Sequence, residues 1–280
     1  MDTVKTPSRA GATALLRHPK YELIPMKGVE KAFASILPKA SVSITVSPTK
    51  GITATLDLAE HLSRTLPAAQ ITPHLSARLV EGHAALEAIL SRIRKVGIQE
   101  LFIVGGDSEK PAGPFGNSLE LIRAIRQIDT DIRLGVTAYP EGHPSIPKEV
   151  LQSDLLEKQA LVTFMATQLC FDAKTIEKWL REVRRSGVTL PVQLGIAGAI
   201  DMVKLIQISS RIGVGDSLRY LSKHAGTVFK LMSGYKPDEL LNELEPVLTD
   251  TSYNVTGFHI YTFNNVKRTE AWRRTWLGEA

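Results

Sequence analysis

The sequence has little of what holds a small secreted or zinc-stapled protein together. Its 280 residues include one cysteine, Cys170, which excludes an internal disulfide and a cysteine-based zinc cluster. Cys170 lies in an apolar run and is predicted to pack in the core. No apolar run approaches the roughly 18 residues that a membrane-spanning helix needs, and the N-terminus lacks the apolar stretch of a secretory signal. We therefore expect a cytoplasmic protein without a membrane partner.

The chain also has only a small excess of positive over negative charge. The chain carries 34 Lys and Arg against 29 Asp and Glu, a net charge of +5. Aromatic residues make up 6% of the chain and do not interleave with basic residues as on an RNA-binding face. We expect no nucleic-acid partner, since an excess this small fits an anionic small molecule equally well. Residues 1–20 hold four basic side chains and one acid and are predicted to form a flexible basic tail.

Motifs of several enzyme classes are missing as well. There is no G-x-x-x-x-G-K-[ST] phosphate loop, no H-E-x-x-H zinc site and no G-x-S-x-G nucleophile turn. No G-x-G-x-x-G follows the first predicted strand, which disfavours a dinucleotide-binding open sheet. The function therefore has to be inferred from the order of strands and helices and from the polar residues at their ends.

From Tyr21 onward, the sequence alternates regularly between short apolar runs and amphipathic stretches. Each of eight strand-like runs is followed by at least one helical stretch. This order predicts a parallel sheet, and eight units fit a closed (β/α)8 TIM barrel over residues 21–280 as a single α/β domain. A doubly wound open sheet is the alternative, although it usually carries fewer units. The predicted strands are 21–24, 41–46, 70–75, 100–104, 133–139, 161–169, 191–196 and 257–263. An additional helix is predicted over 215–232. Ser118 is predicted to be a helix N-cap and Gly97 a helix C-cap.

Polar residues stand near the carboxyl ends of the first six strands. In a TIM barrel the active site lies at that end, so these side chains are expected to face one crevice. Each has a structural explanation when taken alone, and Gly-Gly-Asp after the fourth strand, for example, is a common turn. Their joint position favours a functional site. The set consists of Glu22, Thr45, His74, Asp107, Tyr139, His143, Gln168 and Asp172.

Three residues of this set allow an alternative interpretation, a metal-binding site. His74, Asp107 and His143 are ligand types that zinc takes, as in a metal-dependent barrel hydrolase or lyase. No two of them have helix-face or H-x-H spacing, so the sequence supports this alternative weakly.

Seven short motifs also follow one another along the chain. They are YELIPMK, SITVSP, ITPHLS, VGGD, AYPEGHP, TQLCFD and GFHIYTFN, of which AYPEGHP and TQLCFD are the most specific. In this order they resemble the motifs of the methylenetetrahydrofolate reductase family. The resemblance implies a TIM-barrel folate reductase of one-carbon metabolism. In that family NAD(P)H reduces a bound FAD, which passes hydride to 5,10-methylenetetrahydrofolate.

The resemblance implies residue roles too. Glu22 occupies the position of the catalytic acid, which must protonate the five-membered folate ring before it opens to an iminium. Apolar neighbours are expected to raise the pKa of this carboxyl. Asp107 matches an Asp beside the flavin and the pterin and is the second catalytic candidate. The implied folate-binding residues are Gln168, Asp107 and Tyr220, and the implied cofactor-binding residues are Thr45, His74, Gly106, Asp107, Tyr139 and His143.

The departures from the family pattern concentrate on the flavin. Gly105 replaces an Arg before Gly-Asp, and Phe115-Gly116 replaces a Tyr-Ala pair. The segment 154–164 is shortened, which is expected to displace Lys158 from the position of a phosphate-contacting Lys. Asn265 stands where the family has an Arg for the folate. The pattern predicts that FAD binds weakly or that NAD(P)H transfers hydride directly.

A non-catalytic folate- or flavin-binding paralogue is the second alternative. The altered flavin positions favour it, whereas retention of Glu22 disfavours it. The sequence leaves open the choice between NADH and NADPH and the formation of a homo-oligomer. It also leaves open the direction, since reduction would supply methionine synthesis and oxidation would serve a demethylation pathway.

Overall fold

Eight parallel strands close into a barrel in the computed structural model, which describes residues 9–34, 36–37, 39–47, 49–211 and 234–279. Neighbouring strands pair in chain order, and the last strand pairs back onto the first. This confirms the predicted (β/α)8 barrel. The strands are β1 (Lys20–Leu23), β2 (Ser41–Ile44), β3 (Gln70–Ser76), β4 (Glu100–Val104), β5 (Arg133–Ala138), β6 (Phe164–Thr167), β7 (Val192–Ala197) and β8 (Val255–Tyr261).

Helices connect the strands and pack their apolar faces on the barrel. None of the described helices has the length and apolarity to cross a membrane. The helix predicted over 215–232 lies outside the described residues. The described helices are α1 (Ala10–Leu16), α2 (Val29–Ala34), α3 (Gly51–Thr65), α4 (His83–Lys95), α5 (Ser118–Ile128), α6 (Lys148–Lys158), α7 (Ala173–Arg185), α8 (Met202–Arg211), α9 (Asp238–Thr249) and α10 (Val266–Leu277).

Helix α1 lies within the segment that was expected to be a flexible tail. Ala12 and Leu16 are buried, and the Glu245 carboxylate on α9 accepts hydrogen bonds from the backbone amides of Gly11 and Ala12 at 2.7 and 3.0 Å. A carboxylate at a helix N-terminus pairs amides that have no partner within the helix. The structure therefore differs from the expectation from residue 10 onward, because α1 packs on the barrel and β1 already begins at Lys20.

The two predicted helix caps have different outcomes. Gly97 follows α4 with a φ of +72°, a conformation that favours glycine, as predicted. The prediction of Ser118 as the N-cap of α5 is wrong by one residue. Asn117 has the extended conformation of an N-cap, and its Oδ1 accepts from the Glu120 amide at 3.1 Å.

The inward-facing side chains of the barrel lie in layers along its axis. Alternate strand residues point inward, so Tyr21 reaches out to Glu270 on α10, while Lys20 and Glu22 enter the barrel. We name three interior sets and use the names below. The lower layer is Lys20, Thr72, Glu100 and Arg133; the aromatic layer is Phe102 and Phe164; the upper layer is Glu22, Ser43, His74 and His259.

The aromatic layer depends on a glycine. A Cβ atom at Gly135 would lie 2.3 Å from the Phe164 ring and 2.7 Å from the Phe102 ring. The missing side chain on β5 therefore makes room for both rings. Lys20 Nζ lies 4.7 Å from the Phe164 ring centre, and the His74 and Phe102 ring centres are 4.7 Å apart. The two rings thus separate the lower layer from the upper layer.

Candidate active site

Glu22 is the central group of the upper layer. Its side chain is 13% exposed, and Oε2 lies 3.0 Å from His259 Nε2 and 4.0 Å from His74 Nε2. Burial raises the pKa of Glu22 from 4.5 to about 7 because the charged carboxylate loses hydration, an effect that His74 partly offsets. A carboxyl with this pKa is partly protonated near neutral pH. It meets the requirement for a general acid.

The end of β1 is fixed by residues that follow β8. Thr262 Oγ1 donates to the Glu22 carbonyl at 2.6 Å, and the Asn264 side-chain amide bonds both the N–H and the C=O of Ile24 at 2.8 and 2.9 Å. These bonds close the barrel at its carboxyl end. They also hold the backbone that carries the acid, a role that the sequence analysis did not foresee.

The two histidines of the upper layer stay neutral at physiological pH. Burial lowers the pKa of His74 to about 4 and that of His259 to about 3. His74 Nε2 lies 2.6 Å from Ser43 Oγ, which engages that nitrogen. Glu22 is therefore the group of this layer that exchanges a proton near pH 7.

His259 was missed as a site residue. Its side chain is 1% exposed and approaches Glu22 only because β8 pairs with β1 across a separation of 237 residues. The motif GFHIYTFN contains it, and the alternation of β8 places it inside the barrel. An inward-facing polar residue in a motif already singled out was the available signal.

Glu22, His74 and His259 also have ligand atoms within 4.8 Å of one another. Histidines that bind a metal usually donate their second ring nitrogen to an acceptor. Here His259 Nδ1 is buried without a partner, and Ser43 occupies His74 Nε2. The surroundings of these donors therefore fit proton handling better than metal binding.

The metal set considered from the sequence is not assembled. Asp107 is exposed, His143 Nδ1 accepts from the Ser145 amide at 3.2 Å, and His74 lies inside the barrel. Among the described residues, the group with metal-ligand spacing replaces Asp107 and His143 by Glu22 and His259. The hydrolase or lyase alternative loses its proposed ligands.

The loop after β4 carries Asp107 at the rim of the barrel. Gly106 has a φ of +96°, and a Cβ atom there would lie 2.0 Å from Ser76 Oγ, so this position requires glycine. Arg78 holds the loop by donating to the carbonyls of Ser108, Glu109 and Gly116. Arg78 thus fixes the backbone of the loop that contains Gly105, the position at which the family pattern has an arginine.

The remaining predicted site residues follow the second, fifth and sixth strands. Thr45 donates its amide to the Leu23 carbonyl at 2.9 Å, which places it beside β1. Tyr139 and His143 stack edge to face with ring centres 5.1 Å apart. Gln168 is half-buried, and its Oε1 accepts from the Leu169 amide at 3.0 Å. Tyr220 lies outside the described residues.

Two other sequence expectations are settled by local contacts. Asp172 does not serve the crevice, because it caps α7 by accepting from the Lys174 amide at 3.0 Å and from Thr175 Oγ1 at 2.8 Å. Cys170 is buried, as predicted, and burial raises the pKa of its thiol.

The positions that depart from the family pattern have structural roles. Phe115 is buried and stacks on His83 with ring centres 5.2 Å apart. Lys158 is also buried and pairs with Asp154 one turn earlier on α6. Its ammonium is therefore held by a carboxylate. Asn265 precedes α10, and its carbonyl accepts from the Thr269 amide at 3.1 Å.

A cavity of about 340 Å³ opens beside Tyr139, between α6 and α7. Leu151, Leu155 and Trp179 form apolar walls, and the charged lining residues are of both signs: Lys148, Lys178, Glu141, Asp154 and Glu182. Mixed lining of this kind suits an organic ligand with polar groups.

Fold and site together define a TIM-barrel protein with a buried, protonatable carboxyl in its crevice. The model of the methylenetetrahydrofolate reductase family matches residues 31–272, so the chain belongs to that family.

Individual relatives agree over shorter stretches. A probable methylenetetrahydrofolate reductase (NADPH) of Caenorhabditis elegans is 26% identical over 170 residues, 58% of this chain and 22% of that protein. Methylenetetrahydrofolate reductase 2 of Saccharomyces cerevisiae is 27% identical over 192 residues, 60% of this chain and 30% of that protein. The matches therefore span less than a third of the length of these two relatives.

A solved structure resembles the whole chain. It is an uncharacterized protein from Clostridium thermocellum that binds two copies of 5-methyl-5,6,7,8-tetrahydrofolic acid. The two share 12% identity and a TM-score of 0.67, over 96% of this chain and 99% of the other. At this identity the likeness shows the shared fold.

Proposed function

We propose that the chain is a cytoplasmic NAD(P)H-dependent oxidoreductase that interconverts 5,10-methylenetetrahydrofolate and 5-methyltetrahydrofolate in one-carbon metabolism. Residues 21–280 form the proposed catalytic barrel. The observation that carries the proposal is Glu22, a buried carboxyl in the crevice whose pKa is about 7. Family membership and the folate ligand of the Clostridium protein support the choice of substrate.

The chemistry requires an acid at this place. The five-membered ring of the methylene substrate opens when a ring nitrogen is protonated, which leaves an iminium carbon that accepts hydride. Glu22 supplies the proton and becomes a carboxylate; NAD(P)H supplies two electrons and a hydrogen as hydride and becomes NAD(P)⁺. Asp107 and Gln168, with Tyr220, are the proposed folate-binding residues. Asp107 also stays a catalytic candidate, since it follows β4 at the carboxyl end of the barrel.

The described residues fit FAD poorly. The resemblance assigned cations for the flavin to positions 105 and 158, but Gly105 has no side chain and Lys158 is buried against Asp154. A negatively charged diphosphate needs such cations or free amides. We therefore propose direct hydride transfer from NAD(P)H. The nicotinamide cofactor would lie along Thr45, Gly106, Tyr139 and His143, and His74 is a further proposed contact inside the barrel.

Two measurements test the proposal. The first is an anaerobic assay of methylenetetrahydrofolate-dependent oxidation of NADH and of NADPH, with wild type beside Glu22→Gln. We expect turnover with at least one nicotinamide and its loss in the variant. The second is the visible absorption spectrum after gel filtration. A stoichiometric flavin band would overturn direct transfer while leaving the folate reaction intact.

A non-catalytic folate-binding paralogue is the second candidate, favoured by the altered positions Gly105 and Phe115-Gly116. It predicts that 5-methyltetrahydrofolate binds, whereas neither nicotinamide is oxidised. Turnover that disappears in Glu22→Gln decides against it.

A further inference from the structure

We propose that His259 is a positioning residue that fixes Oε2 of Glu22 and thereby directs the transferable proton to Oε1. The inference rests on the proposed role of Glu22 as the acid. It concerns which oxygen carries the proton, a property that the identity of the acid does not determine.

Both histidine contacts of Glu22 involve the same oxygen. His259 Nε2 is 3.0 Å from Oε2, and His74 Nε2 is 4.0 Å from Oε2. Hydrogen bonds within the described part of the chain leave Oε1 without a partner. Oε1 is therefore the oxygen that can present a proton to a substrate.

The ring proton of His259 belongs on Nε2. His259 Nδ1 is buried without a hydrogen-bond partner, and a buried N–H without an acceptor is rarer than a lone pair without a donor. We therefore assign Nδ1 the lone pair and Nε2 the proton. Nε2–H then donates to Oε2 in both states of Glu22, to a carboxylate oxygen before protonation and to the carbonyl oxygen of the acid afterwards.

The neutral state of His259 makes this arrangement persist. Burial lowers its pKa to about 3, and the positive charge of Lys20 adds to that effect. A neutral ring cannot give up its proton to the substrate near pH 7, so it orients the acid without replacing it. The titratable groups that face the pair are Lys20 on β1, His74 on β3, Glu100 on β4, Tyr139 after β5 and Tyr261 on β8.

Loss of the His259 donor has two expected effects. The carboxyl would rotate between orientations, so that its proton faces the substrate part of the time. The carboxylate would also lose a hydrogen bond that favours its charged form, which moves the pKa of Glu22 upward. The first effect lowers kcat, and the second moves the alkaline limb of the pH–rate profile to higher pH.

The experiment compares His259→Leu, which removes the donor, with His259→Gln, whose amide N–H can reach the position of Nε2. For His259→Leu we expect kcat to fall about 10- to 100-fold with KM changed less than about threefold, and the alkaline limb to rise by about one pH unit. Glutamine should restore most of kcat. In a Glu22→Gln background, His259→Leu should cause no further loss.

Several outcomes overturn the inference. They are near-wild-type kcat in His259→Leu, an equal loss with and without Glu22, or no rescue by glutamine in a protein whose circular dichroism is native. His259→Phe replaces the leucine variant if that protein does not fold. If Glu22→Gln is itself active, the proposed acid fails instead.

A measurement that does not depend on turnover separates the role of Glu22 as the acid from the role of His259 in positioning it. The C=O stretching band of protonated Glu22 in pH-difference infrared spectra, identified by its absence in Glu22→Gln, reports the pKa directly. We expect this pKa to rise in His259→Leu whether or not the enzyme turns over. An unchanged pKa contradicts the contact with His259.

Discussion

The lower and upper layers of the barrel contain similar polar groups but pair them differently. In the lower layer Lys20 bonds Glu100 and Thr72, Thr72 Oγ1 donates to Glu100 at 2.7 Å, and Arg133 lies 3.1 Å from the second oxygen of Glu100. In the upper layer one nitrogen of His259 is unpaired, and the two ring partners of Glu22 among the described residues, His74 and His259, are neutral.

The pairing in the lower layer is typical of a structural network, whereas the upper layer holds a carboxyl that can exchange a proton. Glu100 is a buried carboxylate that is paired with cations, and removing a buried partner leaves an ion that is poorly compensated. A buried carboxyl without a cation takes up a proton instead, as in Glu22. The upper layer therefore sacrifices stability at neutral pH, because the Glu22 carboxyl has no cation to offset the cost of its burial.

The largest expected effect is on catalysis in the upper layer. Glu22→Gln keeps the size of the side chain but cannot donate the proton, so we expect kcat/KM for methylenetetrahydrofolate to fall by about 10²- to 10⁴-fold. The anaerobic nicotinamide assay measures it, and 5-methyltetrahydrofolate affinity serves as the control for an intact crevice. A decrease below about fivefold would remove Glu22 from the mechanism.

The next effect belongs to the lower layer. Lys20→Met removes the buried cation from Glu100, leaves the carboxylate with Arg133, and should cost about 3 kcal/mol of unfolding free energy in urea titrations. The double variant Lys20→Met/Glu100→Leu is the matched control, and we expect it to recover part of that loss. Folded Lys20→Met should keep the alkaline limb of its pH–rate profile near 7. Equal stability of the single variant and wild type would contradict the assignment.

The third effect is a pH-dependent gain in stability for Glu22→Gln. The pKa of Glu22 rises from 4.5 to about 7 on folding, so the folded state binds more protons between these values and wild type loses stability as pH increases through 7. Glutamine has no such dependence. We expect the variant to be more stable than wild type by about 3 kcal/mol at pH 8 and equally stable near pH 4. Parallel urea titrations at both pH values measure the difference; a constant difference would argue against the shifted pKa.

The smallest expected effect follows the removal of one hydroxyl group from the lower layer. Thr72→Val removes one hydrogen bond to Glu100 and should cost about 1–2 kcal/mol of stability, with kcat within about twofold of wild type. A large loss of kcat in this variant, with native stability, would mean that the two layers are not separate.

The sequence predicted the barrel because the alternation of strands and helices follows from local patterns. Strand β4 begins and ends at the predicted residues, 100 and 104, since a run of apolar residues is a property of neighbours in the chain. Glu22 could be singled out as a polar residue near a strand end. Helix α1 was missed because a seven-residue helix is held by tertiary contacts, here with Glu245, more than by its own sequence.

The partners of the acid could not be predicted in the same way. His259 and Asn264 reach β1 from more than 230 residues away, and only the closure of the barrel brings them there. Arg78 comes from a different unit of the barrel and orders the loop after β4 by bonding its backbone carbonyls. Such compensation leaves no spacing pattern in the sequence, because it depends on which loops lie side by side.

The aromatic layer has a consequence for how this barrel can evolve. Phe102 and Phe164, seated over Gly135, keep the paired ions of the lower layer apart from the acid. A descendant chain that replaced Glu22 would lose the proposed acid and, at neutral pH, gain stability, while the ions beneath the rings stayed as they are. Duplicated copies could therefore drift toward ligand binding through folded intermediates.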